Sequence, residues 1–218
     1  MDPELDIIAG EMDAPHSLVV YFSPGCATCL QIMNETTDDL TRRYVDPGHL
    51  RLIYRDVPQL FSYREGQDDY NQRARQASHD YGYSLRCYQH VGDSAGYLQA
   101  LDIFRDELSD LRETYASEYQ DWPVITGDFL MSFSQGRTER SPFSAQQLGP
   151  CQAGEHLEEA ASAFERNADL LVEAAGDPAR VVVPAYFLDG EPIGGSNQGA
   201  VIAGLERALE RMIPEAGE

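Results

Sequence analysis

Residues 17–30, SLVVYFSPGCATCL, decide the fold of this protein. The apolar, β-branched run SLVVYF is typical of a short buried strand, and Ser23-Pro24-Gly25 ends it in a turn. After Cys26, apolar residues recur at every three or four positions, which predicts an amphipathic helix. The stretch therefore predicts a strand followed by a helix, with Cys26 at the junction.

The rest of the chain contains further strand and helix patterns. A second strand is predicted at residues 50–55, LRLIYR, and strand character returns at residues 180–188, RVVVPAYFL. The Asp189-Gly190 pair that follows predicts a β-hairpin. A final amphipathic helix begins near Ser196 and Asn197, either of which can cap it. Two strands separated by a helix predict a parallel βαβ unit with a right-handed crossover.

A long helical segment separates the two halves of this pattern. Apolar stripes at helical spacing cover residues 70–88, 97–115 and 157–175. We interpret residues 63–176 as an inserted helical domain, and residues 1–62 and 177–218 as the second domain. The order βαβ, helices, ββα predicts an α/β protein with a large all-helical insertion.

The composition is strongly acidic. The 218 residues include 37 Asp and Glu against 16 basic residues, every one of them arginine, and the formal net charge is -21. Such a surface repels nucleic acid and anionic lipid, so neither is an expected partner. Attraction to cationic protein substrates is one interpretation; solubility or adaptation to salt is the simpler one, because net charge specifies partners weakly.

The sequence contains no predicted membrane span, since no apolar run reaches the about 18 residues that a spanning helix needs. The first residues, MDPELDIIAGEMDAP, lack the basic start and the apolar segment of a signal peptide. Two locations stay open on this basis: a cytoplasmic protein, or a mature extracytoplasmic form whose leader has been removed.

A Cys-x-x-Cys pair at a helix start suits disulfide exchange, which needs an exposed thiolate and a second thiol that resolves the mixed disulfide. Unpaired backbone N–H groups and the helix dipole favour a charged sulfur at Cys26, the predicted nucleophile. Cys29, one turn deeper on the same face, is the predicted resolving thiol. Neither Ala27 nor Thr28 can add a positive charge. We therefore predict a moderate lowering of the Cys26 pKa and a less oxidising pair than one with a cationic insert.

Two other interpretations of the pair are weaker. Zinc needs four ligands, usually two such pairs or closely spaced histidines, whereas Cys87, Cys151 and the five histidines are scattered. Two inert core thiols are disfavoured because the pair follows a turn and opens a helix, where a side chain is partly exposed. We predict no metal site and no organic cofactor.

Pro184 interrupts the apolar run VVVPAYF. A proline fits poorly into a regular strand ladder, so it indicates a bulge or a cis bond that frees the backbone of Val183, or else a trans proline in an edge strand. Freed backbone groups at Val183 would be able to pair with an extended peptide.

Two stretches resemble a known family. Residues 6–35, DIIAGEMDAPHSLVVYFSPGCATCLQIMNE, and residues 183–193, VPAYFLDGEPI, resemble the DsbA-like thiol-disulfide oxidoreductases of the thioredoxin-fold superfamily. The resemblance covers nearly the whole chain. It implies a thioredoxin fold in which the helical domain is inserted, with residues 1–62 and 177–218 as the thioredoxin-like domain.

The resemblance also implies roles for individual residues. Cys26 and Cys29 would be catalytic, and a cis Pro184 together with Val183 would face them in the substrate-binding loop. The residues between the cysteines, Ala27 and Thr28, complete the predicted substrate-binding set.

This chain departs from the family at the strand position six residues before the nucleophile. Family members commonly bury a carboxylate there, where it can accept the proton of the resolving cysteine, but this chain has Val20. Water or another group would then have to take the proton from Cys29.

The other two cysteines fall in the helical segment. Cys87 lies in its first stripe, and Cys151 follows Gly149-Pro150. They form either a structural disulfide, which an oxidising compartment favours, or two small buried hydrophobic side chains.

The sequence therefore predicts a monomeric thiol-disulfide oxidoreductase that acts on cysteine-containing proteins and is recycled by a redox partner. A DsbA-like oxidase of moderate potential in an extracytoplasmic compartment is the favoured form. A disulfide reductase or isomerase is the first alternative. The second is a non-enzymatic module that binds peptides or a metal.

Overall fold

The computed structural model describes residues 6–24, 26–58, 68–114, 140–151, 154, 157–176, 181–194 and 198–213. Its strands are β1 Ile7–Ala9, β2 His16–Phe22, β3 Leu50–Asp56, β4 Ala185–Leu188 and β5 Glu191–Pro192. Its helices are α1 Ala27–Leu40, α2 Asp68–Thr114, α3 Ala145–Pro150, α4 Leu157–Ala175 and α5 Gln198–Met212, and a π-helical turn, Thr41–Val45, extends α1.

The strands form one five-stranded sheet in the order β1-β3-β2-β4-β5. β2 and β3 run parallel, and the other neighbouring strands are antiparallel. Because α1 connects two adjacent parallel strands, the predicted βαβ unit is confirmed. The three-residue strand β1 has no counterpart in the sequence analysis, since a run this short carries no periodic signal.

The two faces of the sheet are covered by different helices. Leu18, Val20 and Phe22 of β2 belong to the large core that contains the buried face of α1. Tyr21 points to the opposite face, where a smaller cluster includes Leu171 of α4. Side chains that alternate between two covered faces explain why SLVVYF is an almost continuous apolar run.

Between β3 and β4, the described residues form three helices, α2, α3 and α4. The first predicted stripe and residues 97–114 of the second fall in α2, whose regular backbone is interrupted at Gly92 (φ -135°) and Asp93 (φ 54°). With ψ -156°, Asp93 lies far from helical geometry, so the helical hydrogen-bond pattern is broken at this point. The third stripe is confirmed as α4. Residues 115–139, which include the last residue of the second stripe, lie outside the described residues.

A disulfide connects Cys87 of α2 to Cys151, directly after α3. The Cα atoms are 5.6 Å apart, and 64 positions separate the two cysteines in the sequence. Both are buried. Of the two alternatives for this pair, the structure therefore contains the bond.

A buried polar cluster, which the sequence analysis missed, joins the helices to the end of β3. The Asp56 carboxylate accepts hydrogen bonds from the Arg86 Nε at 3.1 Å and from the Tyr97 hydroxyl at 3.0 Å. Asn167 of α4 donates to the Asp56 carbonyl at 3.1 Å. Arg86 also forms an ion pair with Asp56, and both side chains are inaccessible to water or nearly so. The cluster fixes α2 and α4 against the sheet.

The hairpin near the C-terminus is confirmed, although its strands are shorter than predicted. Asp189 (φ 49°) and Gly190 (φ 86°) both have positive φ values, as a tight two-residue turn between antiparallel strands requires. β4 begins only after Pro184, because proline has no N–H to donate to a ladder. No helix in the described part of the chain is long and apolar enough to cross a membrane.

Candidate active site around Cys26 and Cys29

Cys26 is the N-cap of α1. Its backbone is extended, with φ -93° and ψ 99°, while its carbonyl accepts the N–H of Leu30 at 3.1 Å. Its own N–H donates to the Ser23 carbonyl at 2.9 Å. The turn before the helix therefore places the Cys26 side chain beside the unpaired N–H groups of the first helical turn.

The two cysteines are not joined by a disulfide in this structure, and their surroundings are very different. The Cys29 N–H donates to the Cys26 Sγ at 3.2 Å, so the first sulfur caps the helix. Cys26 is partly exposed, whereas Cys29 is fully buried in the core behind it. The Cys26 sulfur is therefore the more accessible to solvent, and the Cys29 sulfur is shielded from it.

The pKa of the Cys29 thiol is raised well above its usual value. Burial is the main cause, and the hydrogen bond and charge of the Cys26 side chain add to it. Backbone N–H groups of Ser23 and of Cys29 itself lower the pKa in part. Cys29 is therefore a neutral thiol near physiological pH, and any thiolate of the pair belongs to Cys26.

The peptide bond between Val183 and Pro184 is cis, as the resemblance implies. Val183 is half-buried and packs against the same core as Cys26. Val182, immediately before it, is 69% exposed, although it is apolar. Ala27 and Thr28 form the first residues of α1, and their side chains lie outside the part of the structure that is described.

The position of the family carboxylate is occupied by a fully apolar side chain. Val20 is buried and pairs with Tyr54 of β3 and Tyr186 of β4, so the three form a row across the sheet on the α1 face. Burial raises the pKa of both tyrosines, and a negative charge on Cys29 would raise that of Tyr186 further. These phenols are neutral, and the row contains no carboxylate that would accept a proton from Cys29.

A pair of serines lies beside the turn that precedes Cys26. The hydroxyls of Ser23 and Ser78 are 2.9 Å apart, and both residues are fully buried. Sequence reasoning missed this contact and the tyrosine row. A predicted strand register between β2 and β3 would have placed Tyr54 beside Val20. No local sequence pattern links Ser23 to a residue of α2.

The described residues contain no group of three or more His, Cys, Asp and Glu side chains that could hold a metal ion. The candidate site comprises the two thiols and the backbone groups around them, and Val183 next to the cis-proline packs against the same core as Cys26.

Comparisons with known proteins agree with this geometry. The family model described as thioredoxin matches residues 3–197. The chain therefore belongs to the thioredoxin family. The comparison with curated proteins gave no match.

Solved structures with the same fold include DsbA-like proteins. The DsbA of Chlamydia trachomatis is 14% identical, with a TM-score of 0.59 over 94% of this chain and 90% of that one. MdbA, a thiol-disulfide oxidoreductase from Corynebacterium diphtheriae, is 14% identical, with a TM-score of 0.56 over 93% and 89%. A protein-disulfide isomerase from Novosphingobium aromaticivorans is 15% identical, with a TM-score of 0.58 over 96% and 98%. At this identity the likeness establishes the fold: a DsbA-like thioredoxin fold with a helical insertion, as predicted.

Proposed function

We propose that this protein is a thiol-disulfide oxidoreductase that exchanges disulfides with cysteine-containing proteins through Cys26 and Cys29. The observation that carries the proposal is the contrast between the two sulfurs. Cys26 is partly exposed and accepts a backbone N–H of the first helical turn, whereas Cys29 is fully buried and has a raised pKa. Disulfide exchange requires this division into an attacking and a resolving thiol.

In the oxidising direction, a substrate thiolate attacks the Cys26 sulfur of the Cys26–Cys29 disulfide. The sulfur–sulfur bond breaks, a mixed disulfide forms, and Cys29 leaves as a thiolate that takes up a proton because burial disfavours its charge. A second substrate thiolate then attacks the mixed disulfide at the substrate sulfur and releases Cys26 as a thiolate. The substrate loses two electrons, and a redox partner must later remove them from the protein.

We assign substrate binding to Val183, Pro184, Ala27 and Thr28. The exposed side chain of Val182 and the half-buried Val183 and Pro184 support an apolar loop that contacts an extended peptide. Residues 181–184 lie outside the β4 ladder, so their backbone is not used by a neighbouring strand of the sheet.

A second part of the proposal concerns the direction of exchange, that is, whether the protein donates disulfides or removes them. We favour a DsbA-like oxidase of moderate potential, because neither residue between the cysteines carries a charge that would further stabilise the thiolate. A reductase or isomerase is the alternative within the same fold, and one similar structure is described as a protein-disulfide isomerase. A peptide-binding module without enzymatic activity is the alternative from another class.

The proposal extends to compartment and organisation. The Cys87–Cys151 disulfide supports an oxidising, extracytoplasmic location, because disulfides persist in such compartments. We propose a monomer with a thioredoxin-like domain, residues 1–62 and 177–218, and a helical domain, residues 63–176.

Two assays and two variants test the function. The protein should reduce insulin in the presence of a thiol and should oxidise a reduced, unfolded substrate in the presence of oxidised glutathione. Cys26→Ser should abolish both activities. Cys29→Ser should instead accumulate a mixed disulfide with substrate that a non-reducing gel reveals. A Cys26→Ser protein that stays fully active would overturn the assignment of the nucleophile.

Equilibration with glutathione then distinguishes an oxidase from a reductase of the same fold. A potential well above that of the cytosolic glutathione pool, about -220 to -260 mV, indicates an oxidase, and one at or below it indicates a reductase. Recovery of a scrambled disulfide substrate identifies an isomerase. A chain that performs none of these reactions but binds unfolded peptides is the non-enzymatic module.

A further inference from the structure

The Ser23–Ser78 contact links the helical insertion to the active-site turn. Ser23 is the first residue after β2, and Ser78 lies in α2, 55 positions further along the chain. Both residues are completely inaccessible to water. Breaking a buried hydrogen bond costs free energy, so this contact favours a fixed separation of the two segments.

Ser23 also contacts the redox pair through its backbone. Its carbonyl accepts the Cys26 N–H at 2.9 Å. Its backbone also lowers the pKa of the Cys29 thiol in part, against the larger effect of burial. Ser23 therefore contacts α2 through its side chain and Cys26 through its backbone carbonyl. Any shift of Ser23 changes the surroundings of both sulfurs.

Both partners are held on rigid elements. Ser78 is two turns before Arg86, which the buried ion pair with Asp56 anchors to β3. On the other side, the Phe22 carbonyl immediately before Ser23 accepts the Val57 N–H at 2.8 Å, and Phe22 pairs with Asp56 in the sheet. The serine pair thus connects two fixed elements and has little freedom to adapt.

We propose that Ser78 is a positioning residue, which through Ser23 holds the active-site turn and makes the reduction potential of the Cys26–Cys29 pair depend on the helical insertion. The inference rests on the proposed function and concerns how that site is tuned. It assigns the insertion a part in the chemistry of the thioredoxin core in addition to any contact with substrates.

The direction of the effect follows from the state of the pair. The Cys26 sulfur can carry a negative charge only in the reduced pair, so the hydrogen bond that it accepts from the Cys29 N–H stabilises the reduced form more than the disulfide. Loss of the Ser78 hydroxyl loosens that arrangement. The reduced form becomes less favourable relative to the disulfide, and the pair becomes less oxidising.

The experiment compares wild type with Ser78→Ala, Ser23→Ala and the double variant. Ser84→Ala is the matched control, because Ser84 is on the same helix and its hydroxyl donates within the helix to the carbonyl of Asp80, in an exposed hydrogen bond of 2.8 Å. Two quantities are measured in the folded protein: the equilibrium constant with glutathione and the pH midpoint of Cys26 alkylation.

Each single variant should shift the equilibrium constant towards the disulfide by about threefold to tenfold, the range expected for one hydrogen bond, where tenfold corresponds to about 30 mV. The alkylation midpoint should move to higher pH. The double variant should resemble the single ones, because they remove the same bond. Ser84→Ala should match wild type in both measurements.

The experiment distinguishes failure of the positioning role of Ser78 from failure of the proposed function. If wild type equilibrates with glutathione but Ser78→Ala and Ser23→Ala keep its potential and its alkylation midpoint, the positioning role is wrong and the proposed function stands. If Ser78→Ala does not fold, the same comparison with Ser23→Ala decides. If the wild-type pair never forms a disulfide with glutathione, the proposed function itself fails.

Discussion

The backbone N–H of Cys29 donates to the sulfur of Cys26 at 3.2 Å. This bond uses a donor that no helical carbonyl can satisfy, since it belongs to the first turn of α1. Cys29 therefore stabilises the sulfur of Cys26 through its backbone N–H, while its own sulfur is fully buried. The two thiols are therefore chemically unequal before any substrate arrives.

This inequality should appear in alkylation of the native, reduced protein. We expect iodoacetamide to modify Cys26 about 100-fold faster than Cys29, because a fully buried thiol reacts only after local opening of the structure. The Cys26 midpoint should lie below the about 8.5 of an unperturbed thiol. Cys29 should stay unreactive to higher pH, since its pKa is raised. Peptide mass spectrometry measures both rates, and urea should equalise them; equal rates in the native state would contradict the site geometry.

Introducing a carboxylate in place of Val20 should destabilise the protein. The introduced side chain would be buried between two neutral phenols, Tyr54 and Tyr186, so we expect Val20→Asp to lower the free energy of unfolding by about 2–5 kcal/mol at about pH 8. Val20→Asn is the matched uncharged control. Urea unfolding measures both.

The pH dependence of this loss has a definite sign. A buried aspartate has a folded-state pKa above its unfolded value of about 3.9. The charge penalty of Val20→Asp is therefore absent below about pH 4 and grows as the pH rises through the folded-state pKa. Val20→Asp and Val20→Asn should be similar in acid and diverge towards neutral pH; curves that stay parallel would show that the carboxylate is not buried.

Removal of Arg86 should be severe, because it leaves the Asp56 charge buried without its main partner. We expect Arg86→Ala to lower the free energy of unfolding by about 3–5 kcal/mol. Arg75→Ala on the exposed side of the same helix should change it by less than about 0.5 kcal/mol. Urea unfolding followed by circular dichroism compares the two. Equal, small effects would mean that the buried cluster does not hold α2 to the sheet.

The Cys87–Cys151 disulfide should contribute to stability without taking part in exchange. Protein with a reduced active site should show two reactive thiols in denaturant, from Cys26 and Cys29, and four only after strong reduction. The double variant Cys87→Ala/Cys151→Ala should lose about 2–4 kcal/mol in urea unfolding. It should still equilibrate with glutathione at Cys26 and Cys29. Four thiols without strong reduction would contradict the bond.

Much of this architecture is encoded locally. The apolar run before Ser23, the helical periodicity after Cys26 and the Asp189-Gly190 turn predict the βαβ unit and the hairpin, because each signal lies within a few residues of the element it specifies. The unequal surroundings of Cys26 and Cys29 follow in the same way, since a helix start fixes the backbone groups around both. The cis bond at Pro184 could be predicted only from the family resemblance, because X–Pro frequencies alone favour the trans form.

The tertiary structure alone decided which distant groups meet. Local patterns do not pair Ser23 with Ser78, Asp56 with Arg86, or Val20 with Tyr186, because these contacts join residues that are far apart in the chain. Hydrophobic periodicity specifies which face of a strand or helix is buried, but not which polar group on another element will satisfy a buried hydroxyl or carboxylate. Sequence alone thus determined the elements and the reactive pair. Packing of the helical insertion against the sheet determined how that pair is held.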